Sequence, residues 1–219
     1  MPQLFLDLGN IPNGCLECEN VPPAIPHAVR QLQHLPDLDL LLPGDLILTS
    51  PLTPTSVQGL IQKDQWDGGY SKDDARWTHA AVYLGFDFNM CEATGEGVHQ
   101  SSLLGSLATY LVRARRDPTL NSDTRWKIAV AAALQIGAPY GIASTLKMHS
   151  RAKQGFHTPQ QAKTQSPNGV NCSELFADAF LLATRITLQD TQVKGVSPAY
   201  LSFVKEWEDV PLVWRSLPS

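Results

Sequence analysis

A chain of 219 residues with 43% apolar and 17% charged side chains is long enough to bury a core without disulfides or metal, and too apolar to be disordered. Its 17 basic and 21 acidic residues leave a formal charge of −4 and a pI near 5.8, which excludes a general binder of nucleic-acid phosphates. No apolar run approaches the ~18 residues of a transmembrane helix, and Met1–Asp7 lacks the basic and apolar stretches of a signal peptide, so the expectation is a cytoplasmic protein, or one exported by a non-classical route.

Residues 1–37 are punctuated by Pro12, Pro22, Pro23, Pro26 and Pro36, which rule out a long helix or a central strand. They read as an irregular N-terminal extension with one short helix over 28–34. Cys15-x-x-Cys18 is half of a zinc motif with no second half nearby; it reads as two reduced thiols, and no metal or cofactor is expected. The compact domain is expected over 38–219.

Leu41-Leu42-Pro43-Gly44-Asp45 is a turn, followed by an apolar strand over 46–49. Residues 50–76, polar and with Gly68-Gly69, read as a long loop with at most one helical turn. A strand over 78–85 and its return over 90–94 form an antiparallel hairpin, and Gly95-Glu96-Gly97 is a turn. A further strand is expected from Tyr110. Trp126, Val130, Ala133, Leu134 and Gly137 recur near helical spacing and predict a helix over 124–136, ended by Gly137-Ala138-Pro139. Residues 142–171 form a long insertion that carries Lys147, Arg151, Lys153 and Lys163 and no acid, readable as a lid or a solvated loop. A second helix runs from Cys172 to Thr184, with Leu175, Phe176, Ala179 and Phe180 on its apolar stripe. Ser197-Pro198 opens a third, through about Lys205, and residues 210–214 read as an edge strand. The fold class is α+β, a small antiparallel sheet packed on helices.

The chemistry concentrates at Asn171-Cys172-Ser173-Glu174. Asn171 is a good N-cap and Glu174 stands three residues later, as in a capping box. Cys172 then occupies a first turn, where free N–H groups and the helix dipole favour a thiolate. A plain small core residue is the competing reading. A thiolate nucleophile needs an imidazole. His79 lies in an apolar strand, where a half-buried imidazole is costly without a partner, whereas His27, His34, His99, His149 and His157 fall in loops or at element ends. The imidazole needs an orienting carboxylate: Glu92 on the return strand, with Glu96 as its rival because sequence leaves the hairpin register open. Cys91 reads as core.

Leu42-Pro43-Gly44-Asp45-Leu46-Ile47, Thr78-His79-Ala80-Ala81-Val82-Tyr83-Leu84-Gly85, Cys91-Glu92-Ala93, Gly137-Ala138-Pro139-Tyr140, Asn171-Cys172-Ser173-Glu174-Leu175 and Ser197-Pro198, in that order, resemble the permuted NlpC-type cysteine hydrolases. These are the YiiX-like branch of the papain-like superfamily, related to lecithin–retinol acyltransferase-like enzymes. The resemblance spans about residues 38–205, and His ahead of Cys implies a circular permutation. It implies a triad of Cys172 as nucleophile, His79 as base and Glu92 as third member. It also implies an oxyanion hole from the Cys172 N–H and a second donor, Tyr140. The loop 62–76, with Trp66 and Tyr70, reads as the opposite wall of the site. The implied substrate is an amide in cell-wall peptide or glycan-peptide. A lipid acyl ester is the runner-up, which the apolar Leu103-Leu104 stretch would suit. A third reading is a non-catalytic effector domain with a delivery or immunity protein as partner.

Overall fold

The computed structural model describes residues 5–6, 34–107, 110–141, 170–189 and 195–216 of the chain. The elements are β1 (Phe5–Leu6), β2 (His34–Asp37), β3 (Leu46–Pro51), α1 (Ser56–Asp67), α2 (Lys72–Ala75), β4 (His79–Tyr83), β5 (Asn89–Thr94), β6 (Gly97–Ser102), α3 (Leu103–Ser106), β7 (Tyr110–Arg116), α4 (Ser122–Ala133), α5 (Cys172–Thr184), α6 (Pro198–Phe203), β8 (Glu208–Val210) and β9 (Val213–Ser216). Seven strands form one antiparallel sheet in the order β1-β7-β3-β4-β5-β6, with β8 also on β7, and β2 pairs with β9. The mixed α/β layout with an antiparallel sheet is as expected.

Alternation sorts the strands' side chains onto two faces. Leu46, Leu48, Ala80, Val82 and Cys91 meet Ile128, Ala132, Leu175, Phe176 and Phe180 of α4 and α5 on one face. Ile47, Ala81, Tyr83, Met90, Val112 and Ala114 form a second cluster with Leu38, Leu103 and Leu212 on the other. Trp207 closes the first cluster, its ring 5.6 Å from Phe176 and 5.5 Å from Phe180. Burying each large side chain of this kind contributes about 1.5–3 kcal/mol.

One turn ties the sheet to α4. Gly44 has φ +81, and a Cβ there would stand 2.5 Å from the Arg125 carbonyl oxygen, so the position needs glycine both for its left-handed conformation and for its close approach. Beside it the buried Asp45 accepts from the Leu42 N–H at 2.7 Å and from the Arg116 Nε at 2.7 Å.

Several expectations are corrected. The segment read as a loop over 50–76 holds α1, a helix of 12 residues. Its Thr55 and Gln58 make a capping box, and Val57, Leu60 and Ile61 begin a helical period, but Asp64 and Gln65 break it after one turn, so the apolar signal is short. On α4 the predicted stripe faces outward: Trp126, Val130 and Leu134 are 45%, 52% and 81% exposed, while Arg125, Ile128, Ala129 and Ala132 are buried. The small side chains let α4 lie close to α5 and the sheet, and Arg125 donates to the Asp117 carbonyl at 2.9 Å. Residues 97–102, given no element, form β6. Leu103 and Leu104 are core, at 0% and 7% exposure, so they offer no surface to a lipid. Within the segment 1–37, Phe5–Leu6 pairs with β7 and His34–Asp37 with β9; the rest of it, including Cys15, Cys18 and the helix expected before His34, lies outside the described residues, as does 142–169 of the insertion. Among the described residues no helix is long and apolar enough to cross a membrane.

Candidate active site

Helix α5 begins where the capping pair predicts. The Asn171 side chain accepts the Glu174 N–H at 2.9 Å, and the Glu174 carboxylate accepts the Asn171 N–H at 3.2 Å. Cys172 is therefore the first helical residue, in the turn whose N–H groups have no intrahelical acceptor. The apolar face of α5 holds the helix on β4 and β5 and brings the thiol to the start of β4. There the Cys172 thiol comes beside the His79 ring, close enough that each shifts the other's ionisation, with the Ser173 hydroxyl 3.8 Å from the sulfur.

The hairpin supplies the carboxylate. β4 and β5 pair with Ala81 opposite Glu92, so His79, two residues earlier on the same face, is the diagonal neighbour of Glu92. His79 Nε2 and Glu92 Oε2 stand 2.6 Å apart, which leaves Nδ1 for the thiol. Glu96 sits exposed in the next turn, its N–H donating to Thr94 Oγ1 at 3.3 Å. The register brings Glu92 to the imidazole and leaves Glu96 away from it.

These contacts decide the charges. Burial opposes charge on Cys172 and on His79, but each outweighs that cost for the other. The thiol is held below its ordinary range by the imidazole and by the Ala80 N–H, and the imidazole is raised above its own by the thiolate and Glu92. Burial likewise opposes the charge on Glu92, yet its bond to His79 keeps the carboxyl below the usual range. Each shift runs toward the charged form: thiolate, imidazolium and carboxylate. By contrast the Cys91 thiol is pushed up to about 11 by burial and donates to the Ala132 carbonyl at 3.4 Å, as a core thiol should.

Cys172, His79, Glu92 and Tyr140 line a cavity of about 380 Å³. Tyr140 bridges to Val170 next to the cap residue. The opposite wall is not the predicted one: Gln58 and Ile61 of α1 line the cavity, with Pro198 of α6, whereas Tyr70 packs edge-on to Phe203 at 6.1 Å and Trp66 lies under Lys72 Nζ at 4.7 Å. Sequence reasoning missed this wall because α1 was read as loop. It also missed His99, which faces Glu92 across β5 and β6; the two-residue connection Gly95-Glu96 was the signal, since it fixes that register. Among the described residues no cluster of His, Cys, Asp and Glu side chains could hold a metal ion. No family model matches the chain, and no curated protein is found to be similar to it.

Proposed function

We propose that the protein is a cysteine hydrolase on a circularly permuted papain-like fold, with Cys172, His79 and Glu92 as its triad. The observation that carries this reading is a depressed thiol at a helix N-terminus beside an imidazole that a half-buried carboxylate holds at 2.6 Å, all three lining one cavity. The thiolate attacks the substrate carbonyl carbon. The oxygen's negative charge is met by the Cys172 N–H, with Tyr140 as second donor. The His79 imidazolium gives its proton to the leaving nitrogen or oxygen as the carbonyl–leaving-group bond breaks, which leaves a thioester on Cys172. Water then attacks the thioester, His79 takes its proton, and the acid departs as the thiolate re-forms. Glu92 keeps the ring oriented and stabilises its charged form throughout.

The preferred substrate class is an amide, as in cell-wall peptide. A lipid acyl ester is second and has lost one support, since Leu103 and Leu104 are buried. The test incubates the protein and its Cys172→Ala variant with purified peptidoglycan and with phospholipid vesicles, followed by mass analysis. Wild-type-dependent muropeptide fragments are the expected result, fatty acid or lysolipid would move the reading to lipid, and no product from either would leave a binding or effector domain.

A further inference from the structure

Helix α1 carries Gln58, Gln62 and Gln65 at i, i+4 and i+7, so the three share one face. Two of them spend their amide N–H groups on the fold. Gln62 Nε2 donates to the Arg76 carbonyl at 2.8 Å, and Gln65 Nε2 donates to the Ala75 and Trp77 carbonyls at 2.9 and 2.8 Å. Gln58 is bonded the other way round. Its Oε1 accepts the Thr55 N–H at 3.0 Å and the Thr55 hydroxyl at 2.9 Å. A backbone N–H only donates, so the atom facing it is the amide oxygen, and Nε2 is turned away from the cap. Among the described residues Nε2 makes no hydrogen bond. The Gln58 side chain is half-buried and lines the cavity that holds Cys172 and His79. The bonds of Gln62 and Gln65 fix the helix that presents it.

We infer that Gln58 is a substrate-binding residue whose Nε2 donates to a carbonyl oxygen on the acyl side of the substrate, beyond the carbonyl that is attacked. The inference rests on the proposed cysteine hydrolase and narrows its substrate class. In that mechanism the attacked oxygen is met by Cys172 and Tyr140, while Gln58 stands on the α1 wall and reads a different part of the acyl group. Ile61, on the same wall, offers only apolar contact, so Gln58 is the polar anchor of that side. An amide N–H group only donates, and it selects a ligand with an acceptor. A peptidyl group carries such an acceptor in its preceding carbonyl. A plain fatty acyl chain carries none, and it would displace water from Nε2 without replacing the hydrogen bond. The wall therefore favours a peptidyl group over an alkanoyl one.

The experiment compares kcat/KM for the p-nitrophenyl esters of N-acetylglycine and of pentanoic acid, in which an amide replaces two methylenes, in wild type, Gln58→Glu, Gln58→Met and Cys172→Ala. Glutamate keeps an oxygen for the Thr55 N–H, so α1 stays capped and the melting temperature should hold, but the donor is gone. Methionine removes both and should also lower the melting temperature. The ratio of acetylglycyl to pentanoyl kcat/KM should fall about three- to tenfold in both variants, the worth of one neutral hydrogen bond. A residue that merely caps α1 would leave the ratio unchanged in both and would be spared by glutamate. A ratio unchanged in Gln58→Glu overturns the role of Gln58. Hydrolysis of neither ester by wild type above the Cys172→Ala background instead overturns the hydrolase reading itself.

Discussion

Cys172 is 8% exposed, and a thiol so buried is ordinarily inert, its neutral form favoured by burial. What separates it from Cys91, a fully buried thiol on β5, is the imidazole beside it. Replacing Cys172 by Ala removes one atom of little buried volume, so the variant should lose all hydrolysis while unfolding within about 1–2 kcal/mol of wild type. Glu92→Gln keeps the shape and removes the charge. His79 then loses part of the support that raises it, so in a rate–pH profile the alkaline limb should move down. An unchanged profile would mean that the carboxylate does not reach the ring in solution.

At the scale of elements, the parts legible in the sequence were those with a local signature. The cap Asn171 and the stripe of Leu175, Phe176 and Phe180 announced α5 to the residue, and the apolar run around His79 announced β4. The candidate residues His79 and Cys172 were legible for the same reason, since each opens an element that its own neighbours define, whereas the choice of Glu92 over Glu96 needed the hairpin register. What was not legible depended on partners distant in the chain. Polar α1 is held by Gln65, whose buried amide donates to the Ala75 and Trp77 carbonyls at 2.9 and 2.8 Å and accepts the Ala199 N–H at 2.9 Å. No local pattern encodes that bond, yet it fixes the helix that forms the cavity wall. Gln65→Leu should strand these buried backbone groups and cost about 1–3 kcal/mol, read by chemical denaturation. The face of α4 was misread because its bulky residues look outward and its alanines inward. Leu134→Lys should therefore change stability by less than about 0.5 kcal/mol, whereas Ile128→Ala should cost about 2–5 kcal/mol; the reverse order would restore the predicted stripe.

Across the whole molecule the catalytic charges of the proposed mechanism are also stability terms. The raised imidazole of His79 stabilises the fold fully below its unfolded value, about 6.5, and loses that contribution as pH climbs through the folded value. The depressed thiol of Cys172 does the opposite: its contribution is complete above the unfolded thiol value, about 8.5, and is lost as pH falls through the folded one. Added together, the two cancel in slope between those limits. The pair's contribution should be flat from about pH 6.5 to 8.5 and decline on both sides, visible as the difference in unfolding free energy between wild type and the double variant Cys172→Ala/His79→Ala. The pair is also the most direct test of the whole account. Nitrogen-15 NMR of the labelled His79 ring should report an imidazolium in wild type at about pH 8, above the ordinary imidazole range, and a neutral ring at that pH in Cys172→Ala. A neutral His79 ring in the wild-type protein at the same pH would contradict it.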